Sequence, residues 1–159
     1  MISGSDPASA VYRRRMSQSR CSASVPGPTD LTAVPLISVI DDDESIRTAI
    51  YNLLRSLGYI VHVFPSAEAF LESSQLHNAW CVIADVRMPG MSGIELQFRL
   101  RSEGNDVPFL FVTAVPEESV RARALEYGAI CFLTKPFDED SLIACLGKAI
   151  ARHIGGEPR

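Results

Sequence analysis

The 159-residue chain has no apolar run approaching the roughly eighteen residues of a membrane helix, and its first 30 positions lack an apolar leader. Neither a membrane span nor export is therefore expected, and the location expected is cytoplasmic. Cysteine is scarce and unpatterned. Cys21, Cys81, Cys131 and Cys145 show no C-x-x-C or Cys/His metal spacing, so they are expected to be reduced, small core or near-surface residues. His62, His77 and His153 are scattered without a partner at ligand spacing and read as surface or strand-edge side chains. No internal repeat points to a solenoid. A basic surplus is also missing: net charge is −4, and with Arg13, Arg14, Arg15 and Arg20 against Asp6 and Asp30 giving +2 up to Val34, −6 remains for the rest. An acidic domain of this kind is not expected to bind nucleic acid by itself.

What is present divides the chain in two. Residues 1–34 are rich in Ser, Pro, Gly and Ala with no apolar period, and read as a disordered tail. Their Arg- and Ser-rich, acid-poor start also fits an organelle transit peptide or a start codon assigned too early. From Pro35 strand and helix signals alternate with turn punctuation, as parallel βα units do, giving one domain over 35–154 and a short tail over 155–159. Strands are expected at 36–40, 59–64, 80–84, 109–112 and 129–134. The intervening helices are placed at 44–57, around 66–71, and at 93–100, 117–127 and 138–153. Asp43 or Asp42 can cap the first helix and Ser66 the second. The three central apolar runs show little polar alternation, which indicates strands covered on both faces. Such a doubly wound sheet carries its ligand site at the carboxyl ends of its strands.

That edge is where the chemistry-bearing residues fall. Asp41 and Asp42 follow the first strand, Asp85 the third, Thr113 the fourth and Lys135 the fifth. Clustered carboxylates repel one another, so the group implies a hard cation that keeps them ionised, and Mg²⁺ suits carboxylates, waters and phosphate oxygens together. A carboxylate beside Mg²⁺ can attack a phosphoryl group and form an acyl phosphate. Lys135 offers positive charge for the phosphoryl oxygens, Thr113 a hydroxyl, and Ala114 a backbone N–H unobstructed by a bulky side chain. Taken alone, Asp41-Asp42-Asp43-Glu44 could be a helix start decorated with acids. That account predicts neither Asp85 nor Lys135.

Four segments in order, Val39-Ile40-Asp41-Asp42-Asp43-Glu44, Asp85-Val86-Arg87-Met88-Pro89-Gly90-Met91-Ser92-Gly93, Val112-Thr113-Ala114 and Phe132-Leu133-Thr134-Lys135-Pro136-Phe137, resemble the receiver domain of bacterial two-component response regulators. The resemblance runs from about Leu36 to His153. It implies a flavodoxin-like (βα)5 fold with a five-stranded parallel sheet in the order 2-1-3-4-5. It further implies that Asp85 accepts phosphate from a histidine kinase or phosphotransfer protein, with Mg²⁺ held by Asp41, Asp42, Asp85 and the backbone carbonyl of Arg87. Lys135, Thr113 and Ala114 then bind the phosphoryl group, and Thr113 and Phe132 form the switch. The Lys135-Pro136 peptide is usually cis in that family. The run from Ser66 to Leu71 and Arg87 resemble receivers that commonly precede a helix-turn-helix domain, yet only six residues follow His153, so a stand-alone receiver is expected.

Its expected role is phosphoacceptor rather than enzyme, signalling to a downstream protein target through altered protein–protein contacts, with a phosphorylation-dependent homodimer as a further option. Arg87 and Val115, each two residues beyond a site residue, are poor water-positioning groups and suggest slow self-dephosphorylation. Two alternatives stand beside this reading. A receiver fold could act as an interaction module without phosphate, although the acids and lysine are all present. A haloacid dehalogenase-type phosphatase would use the D-x-D of Asp41-Asp42-Asp43, but needs a later acidic pair and a cap module, and leaves the Asp85 segment unexplained.

Overall fold

The computed structural model describes residues 33–155, so the tail expected over the first 34 positions lies almost wholly outside the described residues, as do 156–159. Five strands, β1 (Leu36–Ile40), β2 (Ile60–Phe64), β3 (Cys81–Asp85), β4 (Phe109–Thr113) and β5 (Cys131–Thr134), alternate with five helices. These are α1 (Glu44–Ser56), α2 (Ala67–Leu71), α3 (Gly93–Ser102), α4 (Glu118–Glu126) and α5 (Glu139–Gly155). All strand pairs are parallel, in the order β2-β1-β3-β4-β5, as expected.

Alternation of side chains along a strand explains the two cores. Val82, Ala84, Phe109 and Phe111 face the side covered by α2, α3 and α4, where Phe70, Leu96 and Leu100 fill the layer. Cys81, Ile83, Leu110 and Val112 face the other side, beneath Ile50 and Leu54 of α1 and Leu142, Leu146 and Ala149 of α5. Both β3 and β4 are buried at every position, so their sequences, apolar up to the closing Asp85 and Thr113, follow from being covered twice.

Boundaries moved where local bonds compete with the ladder. The fifth strand begins at Cys131 rather than Ala129, because Ala129 N–H closes the end of α4 on Ala124 O at 2.9 Å. Asp85 is the last residue of β3 rather than the first beyond it. Asp43 supplies the cap of α1, accepting from Ser45 N–H at 2.9 Å, and Ser66 caps α2 through Ala69 N–H at 3.0 Å.

One expectation is overturned. Cys131 and Cys145 are joined in a disulfide, with Cα atoms 6.0 Å apart, rather than standing as separate thiols. Their spacing of 14 residues carries no sequence signature; docking of α5 along β5 is what brings the two side chains together. Cys81 does remain a free, buried thiol. Among the histidines, His62 lies on the edge strand β2 and His77 is exposed, while His153 is half-buried and stacks on Trp80 with ring centroids 4.5 Å apart. Burial lowers the pKa of His153.

Candidate functional site

The parallel strands deliver their carboxyl ends to one edge, and the predicted side chains gather there. Carboxylate oxygens of Asp41, Asp42 and Asp85 lie within 4.8 Å of one another. Lys135, from the loop after β5, places Nζ 3.0 Å from Asp41 Oδ2 and 3.4 Å from Asp85 Oδ2. Asp41 and Asp85 are buried and Asp42 is exposed, so the cluster has a closed floor and an open rim.

Electrostatics at this edge are unbalanced. Burial, together with the charge of Asp41, raises the pKa of Asp85 despite the opposing pull of Lys135 and of Arg87 N–H, which donates to Asp85 Oδ1 at 3.4 Å. Burial would depress the Lys135 ammonium, but its bond to Asp41 and the two carboxylate charges outweigh that and raise its pKa. Three carboxylates face one ammonium, a donor set that suits a hard divalent cation.

Local structure explains how each acid is aimed. Asp41 Oδ1 accepts Asp43 N–H at 2.9 Å, and its carbonyl accepts Arg47 Nη1 from α1 at 2.7 Å, fixing the turn from β1 into the helix. Beyond Asp85 the chain turns sharply into α3, with Gly93 N–H donating to Val86 O at 3.0 Å. A side chain at Gly93 would collide with the Asp85 carbonyl, so glycine there allows the helix to start against the strand end. Ser92 and Glu95 then close a reciprocal capping box on α3.

The remaining predicted residues surround this centre without all touching it. Thr113 ends β4, and its hydroxyl bonds within its own loop, to Val115 O at 3.3 Å and from Val115 N–H at 3.2 Å. Ala114 is exposed beside it. Phe132 of β5 is half-buried, its ring 6.3 Å from that of Phe111. The side chain of Arg87 points away to an ion pair with Glu117 at 2.7 Å. The Lys135-Pro136 peptide is cis, as expected.

Sequence reading missed three supporting residues. Arg47 holds the Asp41 carbonyl. Glu68 of α2 accepts Met91 N–H at 2.9 Å, a bond that lowers its pKa and ties down the loop after Asp85. Glu117 carries the pair to Arg87. Glu68 lay inside a segment already noted for its resemblance, whereas Arg47 and Glu117 gave no local signal. Arg121 and Arg123 of α4 are exposed, with Arg121 3.5 Å from Glu118.

Among the described residues no helix is long and apolar enough to cross a membrane. Comparison with known proteins agrees with this geometry. The transcriptional regulatory protein FixJ of Bradyrhizobium diazoefficiens is 40% identical over 114 residues, covering 72% of this chain and 56% of FixJ. The response regulator protein TodT of Pseudomonas putida is 36% identical over 115 residues, covering 72% of this chain and 51% of TodT. The chain thus spans about half the length of these relatives. Among solved structures, the response regulator StyR superposes with a TM-score of 0.69 at 40% identity, covering 78% of this chain and 63% of that one. FixJ-N superposes at 0.67 with 28% identity, covering 74% and 94% respectively. Residues 37–147 match the response regulator receiver domain, which sets aside the phosphatase alternative, and the chain belongs to that family of two-component signalling modules.

Proposed function

We propose that Asp85 accepts a phosphoryl group from the phosphohistidine of a sensor kinase or phosphotransfer protein, in a Mg²⁺-dependent reaction, and that the phosphorylated form is read by a downstream protein. The observation that carries this reading is the position of Lys135 Nζ, between Asp41 and Asp85 at the edge where the acids converge. A helix start decorated with acids would not recruit a lysine from 94 residues away.

The carboxylates of Asp41, Asp42 and Asp85 and the backbone carbonyl of Arg87 would hold the ion. When bound, it would keep Asp85 ionised against the raised pKa and screen charge on the phosphoryl oxygens. In the transfer, a carboxylate oxygen of Asp85 forms the new O–P bond as the histidine N–P bond breaks, and the imidazole leaves. Lys135 neutralises a phosphoryl oxygen, and the Ala114 N–H supplies a further donor. Thr113 contributes by exchanging its bonds to Val115 for one to the phosphoryl group, and the half-buried Phe132 follows into the space vacated. This is signal reception rather than substrate turnover.

Persistence of the phosphorylated state follows from the flanking side chains. Arg87 is committed to Glu117, and Val115 is an exposed apolar residue, so neither is set to aim a water at phosphorus. A phosphoryl lifetime well beyond seconds is expected after excess donor is removed.

The decisive experiment treats the purified chain with acetyl phosphate and Mg²⁺ and weighs it intact. One phosphoryl mass on the wild type, absent from Asp85→Asn and absent in a chelator, is the expected result. A wild type that gains no mass, or an Asp85→Asn variant that gains it equally, would overturn the proposal.

A further inference from the structure

Two of the cysteines stand apart from the phosphoacceptor chemistry. Cys131 opens the edge strand β5 and is half-buried, whereas Cys145 lies along α5 and is 7% exposed. Their Cα separation of 6.0 Å falls within the range that a disulfide spans without backbone movement. Cys131 and Cys145 also pack in the same apolar layer between the sheet and α5. Its chain segment includes Phe132, Thr134, Lys135, Pro136 and Phe137, the end of β5 and the loop that carries the site lysine.

The third described cysteine sharpens the contrast. Cys81 is wholly buried in the same apolar layer, and burial pushes its thiol pKa up, so it is closed to solvent oxidants and poorly nucleophilic. Among the described residues, the cysteine with partial exposure is therefore Cys131 of the edge strand, with the buried Cys145 bonded behind it.

We propose that Cys131 and Cys145 form a reversible thiol–disulfide site, a redox input that locks the Lys135-bearing segment of β5 onto α5. With a low-molecular-weight disulfide such as oxidised glutathione, the Cys131 thiolate attacks one sulfur and expels one glutathione thiolate. The Cys145 thiolate then attacks Cys131 Sγ of the mixed disulfide, forming the Cys131–Cys145 bond and expelling the second thiolate. The protein loses two electrons and two protons; glutathione disulfide gains both and leaves as two thiols. The site requires no phosphoryl group, so it stands or falls independently of the role proposed for Asp85.

The lock acts by restricting the unfolded chain and tying an edge strand to its helix. It should raise the melting temperature by roughly 5–10 °C and slow amide exchange across the enclosed segment.

The test uses the 159-residue chain with Cys21→Ser, so that this fourth thiol does not interfere. Protein is equilibrated in defined ratios of reduced to oxidised glutathione, trapped with an alkylating agent under denaturing conditions, weighed, and mapped by proteolysis. The expected result is interconversion between a form with three alkylated thiols and one with a single alkylated thiol at Cys81, the latter yielding a Cys131–Cys145 cross-linked peptide and the higher melting temperature. The proposal is overturned if the pair stays fully reduced in excess oxidised glutathione, if a mixed disulfide accumulates instead, or if the bond resists reduced glutathione in the folded protein. Cys145→Ser should abolish the temperature difference between oxidising and reducing buffers, and a difference that persists would also overturn it.

Discussion

Helices α4 and α5 flank the edge strand β5 from opposite faces of the sheet, yet they are anchored by different means. The 17-residue α5 buries Leu142, Cys145, Leu146 and Ala149, is tied to β5 through Cys131–Cys145, and donates from Arg152 Nη1 to Gly128 O at 3.1 Å. The nine-residue α4 buries Ala124 alone, and its N-cap residue Glu117 makes no side-chain cap and pairs with Arg87 instead. Burial of aliphatic side chains stabilises far more than an exposed ion pair, so α5 is the fixed wall beside the site and α4 the loose one. Any change transmitted from Asp85 through Thr113 would meet less resistance on the α4 side.

The contrast can be broken most directly in the core. Leu146→Ala should cost about 3 kcal/mol, because it leaves a cavity under a helix that cannot collapse inward. Ala124→Gly should cost about 1 kcal/mol, mainly through backbone entropy. Urea unfolding of the two variants would remove the distinction if the losses were equal. Hydrogen exchange extends the same comparison without mutation: α4 amides should exchange through local openings, and those of central α5 only near global unfolding.

A smaller effect concerns the floor of the site that both helices flank. Asp85 has a raised pKa in the fold, so the folded protein binds more protons than the unfolded chain in the window between its ordinary and raised values. In chelator, the wild type should therefore gain stability relative to Asp85→Asn as pH falls through that window. Other acids shift the opposite way, Asp43 through its bonds with Ser45 and Asp138 through Ser141, which is why the difference between proteins is the quantity to measure. Parallel pH profiles for the two proteins would show that ionised Asp85 is not destabilising.

The smallest change is expected from Glu117→Gln. Both partners of the Arg87–Glu117 pair are about half exposed, so its loss should alter stability by less than about 0.5 kcal/mol. Unchanged unfolding with faster exchange in the first turn of α4 would identify the pair as a local tether. A loss near that of Leu146→Ala would instead place α4 among the fixed elements.

Much of this arrangement was legible from the chain. Apolar runs of strand length, interrupted by helical periods, are local signals, and a parallel sheet converts position at a strand end into position at one spatial edge. That is why Asp41, Asp42, Asp85, Thr113 and Lys135 could be assigned to one place. Side-chain pairings set by the docking of helices and loops were not legible. Arg47 on the Asp41 carbonyl, Arg87 on Glu117 and Trp80 against His153 depend on how helices rotate and dock, and no local pattern encodes that.

By itself, then, the sequence determined the alternation of elements, the strand ends that carry the acids and lysine, and the family, because these rest on local periodicity and on motifs in fixed order. Tertiary structure alone decided that Lys135 lies between Asp41 and Asp85, that Thr113 bonds to Val115, and that Cys131 meets Cys145. The reason is physical: such contacts are fixed by the packing of α5 and the turns of the site loops, where ångström-scale shifts determine whether two groups touch.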